Sequence, residues 1–561
     1  MEYSEKEGCR ILVEVLAAKG VKRVVLSPGS RNAPLIVSFA RCDKFEKFIV
    51  LDERSAAFMA LGMSQQTEEP VALVCTSGTA LLNYAPAVAE AYYQRIPLII
   101  ISADRPPEWI DQDDSQTIRQ FGIFGNFVRS SYILPAEITC DDERWYVNRI
   151  VNDAINTALQ RVKGPVHIDV PLREPLYGVK EYNTCMSERI ISHFGSEECL
   201  SADTMNTFAS YFNRTEKVLI LASFSSPDKT LNNVLSILSK KDNVVVFTET
   251  ISNLSSSGFI PTIDRVLSAM TDEEKKAFSP DLLITFGGSL VSRMVKKWLR
   301  DNPPKEHWNL NSEKHFVDTM KCLSSQISIL PSSFFTGLRP LLTVTKSNYA
   351  IKWEEIRSRA ARSHNKYISE IPWCDLKAFS ILLPLLPSGV RLQLSNSTPV
   401  RYAQLFEYSQ IERCDSNRGT SGIDGATSTA VGAAAVTPGV TVFITGDMGF
   451  LYDSNALWNR YISPRLKIIV MCNGGGSIFR FIPGPSELPE LESYFETHRD
   501  VDVEGLASLN GFKFFKADSE TSLKSVLPAF FDEKEKPVIL AIETPRELNA
   551  EILRGYFKRN Q

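Results

Sequence analysis

VALVCTSGTALLNYAPAVAEAYYQRIPLIIISAD (71–104) and VTVFITGDMGFLYDSNALWNRYISPRLKIIVMCN (440–473) have equal length and run in step. Each reads as an apolar strand, a glycine-containing turn, a helix, a turn marked by proline and a second apolar strand, the pattern of a parallel βαβ unit. Thr76-Ser77-Gly78 falls on Thr445-Gly446-Asp447, and Asp104 falls on Asn473. Two readings stay open. The likeness is either that of any two βαβ units, or that of first and third domains that are copies of one fold and pair face to face.

Strand-like runs recur on either side. The first group is VKRVVLS (21–27), FIVLD (48–52), VALVCT (71–76), PLIIISA (97–103) and GPVHIDVP (164–171). The second is KVLILA (217–222), NVVVFT (243–248) and DLLITFG (281–287), and the third RLQLSN (391–396), TVFIT (441–445), LKIIVM (466–471) and PVILAIET (537–544). Alternating with helical patterns, they predict an α/β chain of three doubly wound parallel-sheet domains. The domains are expected at 1–180, 181–345 and 376–561, with a linking helix around KWEEIRSRAARSHNKYISE in a 346–375 linker. Residues 177–215 carry few strand signals and read as a connection.

The 561 residues suit three or four domains at roughly 150 residues each. With 43% apolar and 23% charged residues, wholesale disorder is excluded. Lys plus Arg number 62 against 66 Asp plus Glu, so a dominant nucleic-acid footprint is not expected. No apolar run approaches the ~20 residues of a membrane span, and MEYSEKEG puts charge where a signal peptide needs an apolar core. The ten cysteines (9, 42, 75, 140, 185, 199, 322, 374, 414, 472) occur singly with no CxxC pair, which points to a reduced, cytoplasmic protein and away from zinc. The six histidines form neither HxH nor HExxH, and none is given a chemical step; His167 reads as structural. DQDDS (111–115) reads as a solvated loop and KKWLR (296–300) as a solvated helix face.

The sharpest chemistry lies in the third domain. Asp447 ends one strand and Asn473 the next, 26 residues later. A right-handed crossover brings both to the carboxyl edge of neighbouring or near-neighbouring strands. A carboxylate and an amide oxygen there are hard donors suited to Mg²⁺ (or Mn²⁺), with a backbone carbonyl at Gly475 as a third. Gly446 allows a tight turn before Asp447, and Gly474-Gly475-Gly476 clears side chains from the path of a diphosphate. A Gly-Asp turn and a plain glycine loop are the simpler alternatives.

With Ile478-Phe479 added, GDM…NGGGSIF resembles the diphosphate-binding motif of thiamine-diphosphate enzymes. That motif usually ends in two Asn; the first is Cys472 here, while Asn473 keeps the position that ligates metal. The resemblance implies thiamine diphosphate as cofactor, held by Gly446, Asp447, Asn473, Gly475, Gly476, Ile478 and Phe479, with Ile423 wedging it into a bent shape. It also implies one Glu in an apolar setting to activate the aminopyrimidine. Glu53, in FIVLDERSAAFMALG, fits that place. The domains then become pyrimidine-binding, central and diphosphate-binding. Glu53 lies in the first domain and Asp447 in the third, and in this superfamily those two domains meet across a subunit interface, so the resemblance implies a homo-oligomer, a dimer at least, with a dimer of dimers expected.

LSPGSRNAPL (26–35), LDERSAAFMALG (51–62), TSGTALLNYAPAVAEAYY (76–93), SADRPPE (102–108) and SNRGTSGIDG (416–425), with GDM…NGGGSIF, narrow the likeness. Together they are similar to the 2-succinyl-5-enolpyruvyl-6-hydroxy-3-cyclohexene-1-carboxylate synthase family of menaquinone biosynthesis. That family decarboxylates 2-oxoglutarate and adds the succinyl carbanion equivalent to isochorismate. Both substrates are dianions and the chain is net −4, so cations must be concentrated locally, and the planar fork of Arg suits carboxylates. By resemblance, Ser397, Arg401 and Arg418 hold the 2-oxoglutarate carboxylate. Ser30, Arg31, Arg105 and Gln116 hold isochorismate with Asn396 nearby, and Arg293 adds a cation from the middle domain. Met294 and Ser115 depart from the family's usual Lys-Arg pair and Asn. A rival within the superfamily is an acetohydroxyacid synthase, oxidase or 2-oxoacid decarboxylase, which leaves SPGSR and Arg31, Arg105, Arg401 and Arg418 unexplained. A rival outside it is a nucleotide-binding or interaction protein.

Overall fold

The computed structural model describes residues 2–182, 188–196, 199–313, 315–482, 484–496 and 498–558; Cys185 lies outside them. The strands are β1 (Glu2–Ser4), β2 (Arg23–Leu26), β3 (Glu46–Ile49), β4 (Val71–Cys75), β5 (Leu98–Asp104), β6 (Ser131–Ile133), β7 (Val166–Pro171), β8 (Val179–Glu181), β9 (Val218–Ala222), β10 (Val244–Thr248), β11 (Phe259–Ile260), β12 (Leu282–Phe286), β13 (Glu306–Leu310), β14 (Ser325–Ile327), β15 (Val390–Leu394), β16 (Ile411–Asp415), β17 (Thr441–Gly446), β18 (Leu466–Cys472), β19 (Lys513–Ala517) and β20 (Val538–Glu543). Six helices bear on the sites: α1 (Glu53–Thr67), α2 (Ala85–Gln94), α3 (Arg293–Asp301), α4 (Tyr349–Glu370), α5 (Asp375–Leu382) and α6 (Ala426–Val436).

Three six-stranded parallel sheets result, ordered β3-β2-β4-β5-β7-β6, β11-β10-β9-β12-β13-β14 and β16-β15-β17-β18-β20-β19. Counted within each sheet, the first and third share one order, second-first-third-fourth-sixth-fifth, whereas the middle sheet runs third-second-first-fourth-fifth-sixth. Shared topology extends the likeness of 71–104 and 440–473 from one βαβ unit to two whole sheets. In each, the order reverses beside the strand that ends at the quoted turn: β2 and β4 in the first, β15 and β17 in the third. Ligands of open α/β sheets bind at such reversals, outside the carboxyl ends.

The central strands are the continuous β-branched runs VALVC, LIIISAD, VLILA and VVVFT, buried on both faces as parallel sheets require. Strand β3 starts earlier than FIVLD suggests. Pairing with β2 aligns Ile49 with Leu26, after which Asp52 leaves the sheet to cap α1, its carboxylate accepting from Ser55 N at 2.9 Å. Strands β6, β14, β16 and β19 are sheet edges, and β13 carries His307 and Asn309, each bonded to Thr285 Oγ1 at 2.8 and 2.9 Å. None of these shows the apolar run of an interior strand. The polar 345–375 stretch does form a helix, and α4 buries Tyr349, Trp353, Ile356, Ala360 and His364. Trp353 meets Phe247 and Phe278 edge-on at 5.0 and 5.2 Å, so α4 is part of the middle sheet's core.

By contacts the chain divides into two compact units: Met1–Gly195 with Asn417–Thr441 and Tyr452–Leu466, and Ser196–Ser416 with Val442–Leu451 and Lys467–Gln561. Helix α6 therefore belongs with the first sheet, where it packs on α1. The seam is made of small residues used reciprocally. A Cβ on Gly62 would stand 2.0 Å from Thr429 O, and one on Gly432 2.0 Å from Met59 O. Gly62→Ala should destabilise the protein by about 1–3 kcal/mol or more in denaturant unfolding. Helix propensity alone predicts a gain of about 1 kcal/mol, so a stabilised variant would contradict this packing.

Candidate active site

Asp447 opens a short helix directly after β17, and Asn473 follows the neighbouring strand β18. Asp447 is buried. Its Oδ2 accepts from the backbone N–H of Asn473 (3.2 Å), Gly474 (2.9 Å) and Gly475 (3.0 Å), and its Oδ1 from that of Met448 (2.8 Å). Burial pushes its pKa up, and these four donors pull against it. Asn473 donates its amide Nδ2 to Asp375 Oδ2 at 2.9 Å, which turns the amide oxygen the other way. Asp375 is itself buried, its pKa raised to about 6 by burial against bonds from Thr544 and Asn473.

Glycine is required in the turn after Asn473 by backbone conformation and packing. Gly474, Gly475 and Gly476 have φ of +81°, +82° and +59°, three left-handed residues in a row. Their missing Cβ atoms would also meet protein: the His498 ring at 3.0 Å, Met448 Cγ at 2.8 Å and the Glu496 backbone at 2.4 Å. Backbone conformation and packing thus demand glycine here in addition to any room it leaves for diphosphate. The expected tight turn at Gly446 is corrected: it ends β17 without a positive φ, and a Cβ there would meet nothing within 4 Å. Ile478 and Phe479 open the next short helix, with Phe479 tilted on Phe495 at 5.8 Å. Glu496, fully buried, is ion-paired to Arg480 and Arg546 and fastens the overlying segment. The Cys472 thiol is pushed up to about 12, mainly by burial and next by Asp447, so it stays neutral.

A carboxylate, an amide oxygen and a backbone carbonyl fit Mg²⁺, which binds through one or two carboxylates and leaves positions for phosphate oxygens. Among the described residues no group of three or more His, Cys, Asp and Glu could hold a metal, so thiolate or imidazole chemistry has no rival cluster.

In the first unit, Glu53 is the first residue of α1 and half-buried. Burial raises its pKa, its own backbone N–H lowers it, and Asp52 raises it further. Its charge is felt by the buried Cys75 thiol and Tyr84 hydroxyl, whose pKa values it helps to raise. Ile423, just before α6, is 39% exposed and so is not a core residue. Arg418 is buried in a loop that α2 anchors: Glu90 accepts from Gly419 N (2.7 Å), Thr420 N (2.6 Å) and Thr420 Oγ1 (2.6 Å).

Arg31 and Arg105 converge. Arg31 donates to Leu172 O at 3.0 Å and to Glu174 Oε1 at 3.1 Å; Arg105 lies 3.8 Å from the same oxygen and 3.2 Å from Asp114. Ser30 is exposed, as is Gln116, whose backbone passes 3.3 Å from where a Gly78 Cβ would stand. Gln120 ties this loop down, accepting from Gly78 N (2.7 Å) and donating to Ala103 O (3.0 Å) and Asp169 Oδ1 (3.1 Å). Asp169 also accepts from Ser102 Oγ at 2.8 Å, and its carboxyl is hydrogen-bonded to that of Asp104.

In the second unit, Arg401 bonds the Ser397 carbonyl, Ser397 has a strained φ of +76°, and Asn396 is buried beside it. The Arg401 charge reaches Asp264, which accepts the hydroxyl of Ser292, the N-cap of α3. Arg293, the first residue of α3, is exposed, while Met294 packs on the core. Glu249 fixes this helix start, accepting from Val291 N at 2.9 Å and Ser292 N at 2.8 Å. Asp375, Glu90, Gln120, Glu174, Asp264 and Glu249 were not singled out by sequence. Each is an ordinary polar residue whose partners lie far along the chain.

Residues 6–123 match the family described as thiamine pyrophosphate enzyme, N-terminal TPP binding domain. The whole chain is similar to proteins named 2-succinyl-5-enolpyruvyl-6-hydroxy-3-cyclohexene-1-carboxylate synthase. That of Porphyromonas gingivalis is 45% identical over 565 residues, covering 99% of this chain and 97% of the relative. That of Flavobacterium psychrophilum is 42% identical over 558 residues, covering all of both. That of Christiangramia forsetii is 40% identical over 575 residues, 99% of each.

The Asp104–Asp169 pair has a measurable consequence. Burial and then the Asp169 charge push Asp104 from 3.8 up to about 8, so the folded protein keeps a proton that the unfolded chain has already lost between those values. Stability from the Asp104 proton is full below about pH 4 and falls as pH rises towards 8, by at most about 1.4 kcal/mol per pH unit. Asp104→Asn, whose amide always has a proton to donate, should flatten the loss between pH 5 and 8 in denaturant unfolding. A variant with the wild-type slope would contradict the shared proton.

Proposed function

Because the chain belongs to the 2-succinyl-5-enolpyruvyl-6-hydroxy-3-cyclohexene-1-carboxylate synthase family, we propose that it decarboxylates 2-oxoglutarate and joins the succinyl unit to isochorismate in menaquinone biosynthesis. The observation that carries the site assignment is the pairing of Asp447 and Asn473 at adjacent strand ends, with the Asn473 amide nitrogen tied back to Asp375. Thiamine diphosphate, when bound, supplies the electron sink that lets a 2-oxo acid lose CO₂ and react as a nucleophile.

Asp447, Asn473 and the Gly475 carbonyl would hold Mg²⁺ (or Mn²⁺), which would supply positive charge to anchor a diphosphate. Glu53 holds and exchanges a proton at its carboxyl with the aminopyrimidine nitrogen; its burial keeps protonation accessible nearer neutrality. Ile423 offers an exposed apolar face against the cofactor. Arg401 and Arg418, with Ser397, orient the 2-oxoglutarate carboxylate. Arg31 and Arg105 orient isochorismate with Ser30, Gln116 and Asn396, and Arg293 adds charge; Glu174 keeps the Arg31–Arg105 pair aligned. The same reading makes the protein a cytoplasmic homo-oligomer, a dimer at least, with Glu53 of one chain serving the Asp447 site of another.

Incubation with thiamine diphosphate, Mg²⁺, 2-oxoglutarate and isochorismate should yield the succinylated cyclohexene adduct by mass; CO₂ release from pyruvate but not from 2-oxoglutarate would overturn the assignment. Glu53→Gln should keep cofactor binding and lose about 10²–10⁴-fold in turnover, and full activity would reject its role. Mixing inactive Glu53→Gln with inactive Asp447→Ala should restore activity if sites are shared between chains, and no recovery after subunit exchange would contradict sharing.

A further inference from the structure

We propose that Asp375 is a positioning residue that decides which end of the Asn473 amide meets the metal; this rests on the metal assignment above. An Asn side chain carries an oxygen that can ligate a cation and an NH₂ group that cannot, and only its hydrogen-bond partners choose between the two orientations. Asp375, acceptor-only when ionised, can bond only the NH₂ end. Its Oδ2 takes Asn473 Nδ2 at 2.9 Å, which turns the amide oxygen away from Asp375.

Asp375 is held firmly enough to impose that choice. It is the first residue of α5 and fully buried. Its other oxygen accepts from Thr544 Oγ1 at 2.6 Å, and its backbone N–H donates to Asn549 Oδ1 at 2.7 Å. Asn549 Nδ2 in turn donates to Thr544 Oγ1 at 3.1 Å, closing the ring of bonds. Two stretches distant in sequence, the start of α5 and the segment after β20 that carries Thr544 and Asn549, thus converge behind one amide. Nothing else in the proposed chemistry uses Asp375.

The test is a Mg²⁺ titration at fixed thiamine diphosphate, read as thermal shift, so that turnover plays no part. In Asp375→Asn the new amide can present NH₂ to Asn473 and force the wrong end forward. The Mg²⁺ concentration for half-maximal shift should rise about 10–100-fold, as for outer partners of metal ligands generally. The exchange D375N/N473D, in which the new amide donates to one carboxylate oxygen and leaves the other for the metal, should recover most of that loss. Thr544→Val, which loosens Asp375 without removing it, should raise the midpoint in the same direction and serves if Asp375→Asn does not fold. A wild-type Mg²⁺ midpoint in a folded Asp375→Asn or Thr544→Val protein, even with lower unliganded stability, would overturn the inference. A wild-type protein showing no Mg²⁺-dependent shift would instead overturn the metal assignment, and the inference with it.

Discussion

A carboxylate buried at the end of a parallel strand is costly unless hydrogen-bond donors meet it, and at Asp447 the backbone supplies them. Four N–H groups converge on it, three of them from the turn after the neighbouring strand β18. The turn can present three donors in succession because Gly474, Gly475 and Gly476 are all left-handed. A side chain at any of them would strain the backbone and collide with His498, Met448 or Glu496. The geometry of the strand edge, the glycine run and the buried acid are therefore one constraint seen from three sides.

The same device recurs at a distance from the chemistry. Glu90 collects three donors from the 419–420 loop that follows Arg418, Gln120 joins the Gly78 turn to the ends of β5 and β7, and Glu249 closes the start of the helix that carries Arg293. Loops that carry exposed polar residues have little apolar surface with which to hold shape. Buried side chains with several charge-assisted bonds supply that rigidity instead, because a buried charge left unpaired is costly.

The central strands were legible because they are continuous apolar runs, and Asp447 with Asn473 because one βαβ unit separates them. The Arg31–Arg105 pairing was legible only as two residues in separate motifs. Glu174, which bonds Arg31 and lies 3.8 Å from Arg105, sits 143 residues from Arg31, and nothing local to LREPLY announces it. Glu90 is 329 residues from Gly419, and such long-range polar contacts leave no periodic trace. Strand β13 was missed because its buried His307 and Asn309 are satisfied by Thr285 rather than being apolar. The crowding of Gly474, Gly475 and Gly476 by the protein's own atoms leaves no mark in the sequence.

Crystals grown with thiamine diphosphate and Mn²⁺ in place of Mg²⁺ would locate the metal by its anomalous signal. A single strong peak is expected within about 2–2.5 Å of an Asp447 carboxylate oxygen and the Asn473 amide oxygen, with the Asn473 NH₂ still on Asp375. A peak elsewhere, or a cofactor bound without contact to either side chain, would contradict the site at the ends of β17 and β18.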